Sequence, residues 1–145
     1  MSTTFVYVDA SVIAGVALGD VEPSLAISSV PKNQSLAYGT FGFGEAVSAI
    51  SARTRAAHGT DEDAVARMDG LRAFLTTWQH IDWAPSDLDR AIALAGRASL
   101  ALKLPDAIHI AIAERNVLPL LTFDQQQHRA ALTLGLPSIL AANSG

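Results

Sequence analysis

Asp9, Glu45, Asp106 and Asp124 are the residues whose type and placement best suit chemistry. Asp9 closes TFVYVD (4–9), a β-branched and aromatic run that reads as a buried strand. Asp124 follows VLPLLTF (117–123), a second buried strand. Glu45 falls in the first turn or so of a helix from Gly42 to about Ala57, on which Ala46, Val47, Ile50 and Thr54 recur at three and four. Asp106 sits in the first turn of the helix DAIHIAIAERN, just behind Pro105. Acids at helix starts have an ordinary use, because they complement the dipole and satisfy free N–H groups. Taken singly, each of the four fits that use. Their neighbours point elsewhere. Asp9 runs straight into an apolar helix with only Ser11 polar beside it, Asp106 precedes IHIAIA, and Glu45 lies among Gly42, Gly44, Ala46 and Val47. A carboxylate in apolar company is costly unless it is hydrogen-bonded, paired or metal-bound. No Lys or Arg stands as an obvious partner in sequence. Carboxylates on one rim also raise each other's pKa, and a divalent cation relieves that conflict. Oxygen ligands with neither Cys nor paired His favour Mg²⁺ or Mn²⁺ over Zn²⁺.

These acids can meet only if the intervening elements bring them together. ASVIAGVALGD (10–20) reads as a short helix, a second can form across 22–30, and LAYG (36–39) reads as a short strand. Thr60 with Asp63 resembles a capping box, and the helix behind it carries Ala64, Val65, Met68, Leu71, Leu75 and Trp78 on one face. Ser86 with Asp89 opens another helix, through Leu88, Ile92, Ala95 and Leu102. Asp124 with Gln127 caps QQQHRAALTLG, and LPSIL (136–140) makes a last strand. Strands alternating with helices imply an α/β fold, a mainly parallel central sheet sandwiched by helices. Such sheets bind ligands beyond the carboxyl ends of their strands, where Asp9 and Asp124 fall.

The 145 residues suit one domain, spanning 1–145. Hydrophobic residues make up 50% and the mean hydropathy is +0.28, which calls for a well-filled core, an exposed apolar patch that meets a partner, or both. Polar residues, Gly or Pro break every apolar run before membrane-span length, and MSTTFVYVDAS lacks the basic start of a signal peptide. The absence of cysteine removes disulfides and thiolate chemistry and is compatible with the cytoplasm. A net charge of −4 weighs against broad electrostatic binding of nucleic acid, but an acidic site that recruits cations is not excluded by it.

Four segments resemble the PIN-domain family, and within it the VapC-type toxin ribonucleases of toxin–antitoxin pairs. They are VYVDASVIA, FGEAVSAISAR, LKLPDAIHIAIAERN and PLLTFDQQQHRAALTLGLP. The third is the most specific, and the ordered set carries the likeness. GTFGFGE departs from the pattern, with more glycine than the usual Ser/Thr-containing version, and residues 61–101 match only in character. The resemblance implies a PIN-like fold and metal-dependent hydrolysis of RNA phosphodiesters. Asp9 and Asp106 would be the main ligands of Mg²⁺ or Mn²⁺, Glu45 and Asp124 would complete the site, and Ser11 and Thr122 would orient carboxylates or waters. It further implies a homodimer, an antitoxin that covers the site, and a structured transfer or ribosomal RNA as substrate. The rivals are a PIN-like binding module without activity, against which all four acids argue, and a PIN nuclease of RNA maturation without an antitoxin. A dehalogenase-type phosphatase wants an Asp where Ser11 stands, and a receiver domain wants paired acids and a late Lys that are not evident.

His109 lies three residues after Asp106 and reads as a packed or half-exposed helix residue, although it could share Asp106's face. His58, His80 and His128 have no ligand spacing and read as surface. Trp78 and Trp83 flank a polar turn, where they anchor a helix end or stack on bases. Arg53, Arg55, Arg67, Arg72, Arg97 and Lys103 are available to a substrate groove, but read first as solvated helix faces.

Overall fold

The computed structural model describes residues 4–142. Thr4–Val8 forms β1, whose side chains alternate as a buried strand requires: Val6 and Val8 enter one apolar layer and Tyr7 the opposite one. Four further strands are described, β2 (Gln34–Gly39), β3 (Gln79–Ile81), β4 (Leu120–Thr122) and β5 (Ser138–Leu140). They stand in the order β3-β2-β1-β4-β5, and every pairing is parallel. The expected parallel sheet between helices is therefore the observed architecture. From β1 the chain first builds outward through β2 and β3, then returns to the other side of β1 for β4 and β5. The direction reverses between β1 and β4, and parallel sheets of this kind bind ligands at such a point, beyond the carboxyl ends of the strands.

Helices α1 (Ala10–Ala17), α2 (Pro23–Ala26), α3 (Thr40–Ala56) and α4 (Asp61–Phe74) supply one layer, through Val12, Ile13, Ala26, Ala46, Ile50, Ala64 and Leu71. Helices α5 (Pro85–Ala95), α6 (Leu104–Asn116) and α7 (Gln125–Thr133) supply the other. In α6 every residue from Ala107 to Ala113 is buried, as the IHIAIA run requires. Among the described residues no helix is long and apolar enough to cross a membrane.

Several local expectations are corrected. The strand expected over 117–123 is only Leu120–Thr122, because Val117 ends α6 in left-handed backbone (φ 55°) and is 86% exposed. Helix α5 begins at Pro85 rather than behind Ser86: the Asp87 carboxylate accepts the Ala84 N–H at 2.7 Å. That start turns the helix so that Asp87, Ala91 and Leu94 face inward while Leu88 and Ile92 face out. It ends at Ala95, so Leu102 is buried from the loop behind a short 3-10 turn and not from the helix. Val65 is exposed rather than on the core face of α4. Strand β3 went unforeseen, since QHI is polar and belongs to a sheet edge with little apolar signal. Helix α2 covers only part of 22–30. The Thr60–Asp63 capping box is present, with both reciprocal hydrogen bonds.

Candidate active site

Asp9 leaves β1 and Asp124 leaves β4, so both acids stand at the reversal point of the sheet. The Asp9 N–H donates to the Leu121 carbonyl at 2.9 Å, which carries the ladder one residue past the strand. Although Asp9 begins α1, its carboxylate does not cap that helix. Oδ2 instead accepts from Ser11 Oγ at 2.7 Å and from Thr122 Oγ1 at 2.9 Å. Each hydroxyl in turn accepts a backbone N–H from the turn after β4: Phe123 donates to Ser11 Oγ at 3.1 Å and Asp124 to Thr122 Oγ1 at 3.0 Å. Accepting on one side aims each O–H at Asp9 on the other. The result is a clip across the reversal point that leaves Oδ1 of Asp9 free of the two hydroxyls.

Asp124 does cap its helix, for Oδ1 accepts the Gln127 N–H at 3.0 Å. Gln127 is fully buried and also donates from Nε2 to the Asp106 carbonyl at 3.2 Å, which ties the start of α6 to the start of α7. Glu45 falls in the second turn of α3, because that helix starts at Thr40 directly behind β2. It is therefore too far along to serve the free N–H groups of the helix start. Among the four acids, capping explains Asp124 alone.

Asp106 is the acid without a hydrogen-bond partner for its carboxyl among the described residues. Burial, then the charges of Asp124 and Asp9 with a smaller push from Glu45, raise its pKa to about 6. That shift has a geometric meaning: Asp106 lies close enough to the other three acids to feel their charge. Among the described residues, however, no three carboxylate or imidazole groups are gathered as a ready cage for an ion. The donor set still suits a hard divalent cation. Every donor is a carboxylate oxygen, three of the acids are fastened by one oxygen each, and the half-buried Asp106 carboxyl has no hydrogen-bond partner among the described residues.

The third fastening is the one that the sequence did not disclose. Glu45 Oε1 meets His109 Nε2, and the ring also lies 3.5 Å from Asp9 Oδ1. His109 is 1% exposed, deep behind the rim, so the packed alternative was the correct half of the expectation. Its Nδ1 meets the Tyr7 hydroxyl at 2.7 Å. Burial pulls the imidazole pKa down, but Asp9, Glu45 and Asp106 outweigh it and hold His109 above its ordinary value. Burial, then Asp9 and Glu45, push the Tyr7 phenol well above its ordinary value. The spacing of three from Asp106 was the available sequence signal, and nothing local pointed to Glu45.

Other candidates are placed more plainly. Arg53 pairs with Asp20 and Arg72 with Asp69 on exposed faces, and Arg55, Arg67, Arg97 and Lys103 are exposed. Trp78 packs on Phe74 at the end of α4. Trp83 is half exposed and lines an apolar groove of about 690 Å³ with Phe41, Leu88 and Ile108, which reaches Glu45. His58 and His80 are exposed, whereas His128 is half-buried and meets Ser138 Oγ at 2.7 Å, so it is not a surface residue.

Residues 6–132 match the family model described as the PIN domain. The chain belongs to the PIN-domain family. Solved structures share its PIN fold at low identity. A protein of Pyrobaculum aerophilum is 22% identical, with 95% of this chain and 90% of that one covered and a TM-score of 0.64. The VapBC2 complex of Rickettsia felis, solved with a DNA fragment from its promoter, gives 14%, 96% and 100%, with a TM-score of 0.69. VapC20 of Mycobacterium tuberculosis, described as a toxin that cleaves the sarcin–ricin loop, gives 17%, 86% and 94%, with a TM-score of 0.64. At these identities the likeness speaks for the PIN fold alone. No curated protein matches the chain significantly in sequence.

Proposed function

We propose that this PIN domain is a Mg²⁺- or Mn²⁺-dependent endoribonuclease and the toxin of a toxin–antitoxin pair. The observation that carries the reading is the clipped pair at the reversal point, Asp9 and Asp124, with Glu45 and Asp106 on the same rim. Asp9 and Asp106 would be the principal holders of the cation, with Glu45 and Asp124 completing the site directly or through water. When bound, the cation supplies the positive charge that offsets the anionic phosphodiester and makes water a better nucleophile at neutral pH. Ser11 and Thr122 keep the Asp9 carboxylate from rotating, so it need not be ordered again when substrate arrives. His109 is 1% exposed and bonded to Glu45, so protonation of the leaving oxygen would fall to solvent rather than to the imidazole.

The partners proposed with this reading are a structured transfer or ribosomal RNA, a second copy of the chain, and a cognate antitoxin, in a cytoplasmic setting. Toxin–antitoxin complexes among the structural relatives support the antitoxin. So does the apolar groove beside Glu45, whose exposed Trp83 and Leu88 suit a protein partner.

The test is incubation of purified chain with total cellular RNA and Mg²⁺ or Mn²⁺, alongside an EDTA control and Asp9→Asn and Asp106→Asn variants. Discrete fragments should form only with cation and wild-type protein. Folded, antitoxin-free protein that leaves all RNA intact would shift the reading to a PIN-like module that binds without cutting.

A further inference from the structure

We propose that His109, held by Tyr7, is a positioning residue that fixes Oε1 of Glu45 and leaves Oε2 to take a cation. The proposal rests on the ribonuclease reading and assigns that site a part beyond its four acids and two hydroxyls.

Three observations converge on it. The first is the hydrogen-bond chain. Tyr7 and His109 are both essentially inaccessible to solvent, and each polar atom of the pair has a partner: Tyr7 Oη on Nδ1 at 2.7 Å and Nε2 on Glu45 Oε1. When Tyr7 donates its O–H to Nδ1, the neutral ring carries its hydrogen on Nε2 and must donate it toward Glu45. The phenol thus selects the tautomer that can hold the carboxylate. The second observation is confinement. The imidazole is fully buried and packs against the Tyr7 and Phe41 rings, with centroids at 5.7 and 5.3 Å, which restricts its movement away from Glu45. The third is the room made for the pair. A Cβ at Gly39 would stand 2.9 Å from Tyr7 Oη, and one at Gly42 would stand 3.2 Å from His109 Cε1. Both glycines lie in the stretch from the end of β2 into α3, at the GTFGFGE segment. A histidine needed only to fill the core would require neither a selected tautomer nor a carboxylate at its far nitrogen.

The test uses the full chain in three forms besides wild type: Tyr7→Phe, His109→Ala and His109→Gln. Gln places an N–H at about the reach of the imidazole Nε2. Nitrogen-15 NMR of metal-free wild type should show the Nε2–H tautomer of His109 with a slowly exchanging proton. Manganese titration should give a dissociation constant raised roughly 10- to 100-fold for His109→Ala, with partial recovery in His109→Gln and a smaller loss in Tyr7→Phe. RNA cleavage should follow in kcat more than in KM. An Nδ1–H tautomer overturns the proposal. So do folded Tyr7→Phe and His109→Ala proteins that bind Mn²⁺ and cut RNA as wild type does. Wild type that takes up no Mn²⁺ and cuts nothing overturns the ribonuclease reading together with this one, which separates the two failures.

Discussion

Each acid of the rim is defined by what holds its oxygens. Asp9 has two hydroxyls on one oxygen, Asp124 a backbone N–H, Glu45 a histidine, and Asp106 no partner among the described residues. Asp106 therefore bears the mutual repulsion most openly and titrates at about 6 against an ordinary 3.8. The folded chain holds that proton more tightly than the unfolded chain does. The contribution to stability is thus fullest below about pH 4 and is lost as pH rises through 6. Asp106→Asn, which cannot ionise, should be more stable than wild type at pH 7.5 in EDTA, by roughly 1 kcal/mol after allowing for the half-exposed side chain. At pH 4 the two should coincide. Urea unfolding at both pH values checks this, and equal stability at pH 7.5 would mean that Asp106 is under no strain. Thr122 gives a second prediction at this scale. Thr122→Val keeps the shape of a fully buried side chain but removes the O–H on Asp9 and the acceptor for the Asp124 N–H. Cleavage should fall roughly 10-fold or more, as for other losses of a group that orients a ligand, in a single-turnover assay of protein that still melts cooperatively.

Between elements, one ion pair fastens the frame behind the rim. The Asp87 carboxylate, 2% exposed, accepts from Arg115 Nε at 2.8 Å and Nη2 at 3.0 Å, and from the Ala84 N–H at 2.7 Å. Arg115 Nη2 also donates to the Asp82 carbonyl at 2.8 Å, so the end of α6 holds both the start of α5 and the loop that carries Trp83. Removing the cation strands a buried carboxylate. Arg115→Ala should lose about 2–4 kcal/mol in urea unfolding, whereas Asp69→Ala, which breaks only the exposed Arg72 pair, should change stability by about 0.5 kcal/mol or less. The turn after α6 allows a gain. Val117 is a β-branched residue at φ 55° with 86% of its surface exposed, so it is strained and packs on little. Val117→Gly relieves that strain and should stabilise by roughly 1 kcal/mol. A lower melting temperature for this variant would show that Val117 makes contacts worth more than its strain.

Across the whole molecule, the sheet order gathers the acids on one edge and leaves an apolar groove beside them. Helix α5 turns Leu88 and Ile92 outward, Ile92 being 56% exposed, and Leu88 lines the groove with the half-exposed Trp83. Under the proposed function these exposed side chains are the surface offered to a second copy or an antitoxin. Ile92→Glu should leave unfolding within about 0.5 kcal/mol of wild type while moving the protein from dimer toward the 15.2 kDa monomer in sedimentation velocity. A wild type that already sediments as a monomer at tens of micromolar sinks the homodimer proposal.

Much of this protein follows from contacts between near neighbours, and those were legible in the residues. Strand and helix periods placed Asp9 behind β1 and Asp124 behind β4. The alternation of elements implied a parallel sheet, and the Thr60–Asp63 and Asp124–Gln127 caps span three residues each. Such hydrogen bonds depend on local backbone geometry, which short stretches of sequence specify. What escaped was set by register and packing. The polar edge strand β3 has partners but little pattern of its own, and the phase of α5 hangs on a carboxylate that an arginine 28 residues away holds in place. His109 meets Glu45 across 64 residues and Tyr7 across 102. Those pairs exist only because α6 is laid against the start of α3 at the carboxyl end of β1. The residue types were written in the chain, but their encounter was decided by the tertiary structure, where the imidazole is lodged beside Gly42 and the Tyr7 hydroxyl.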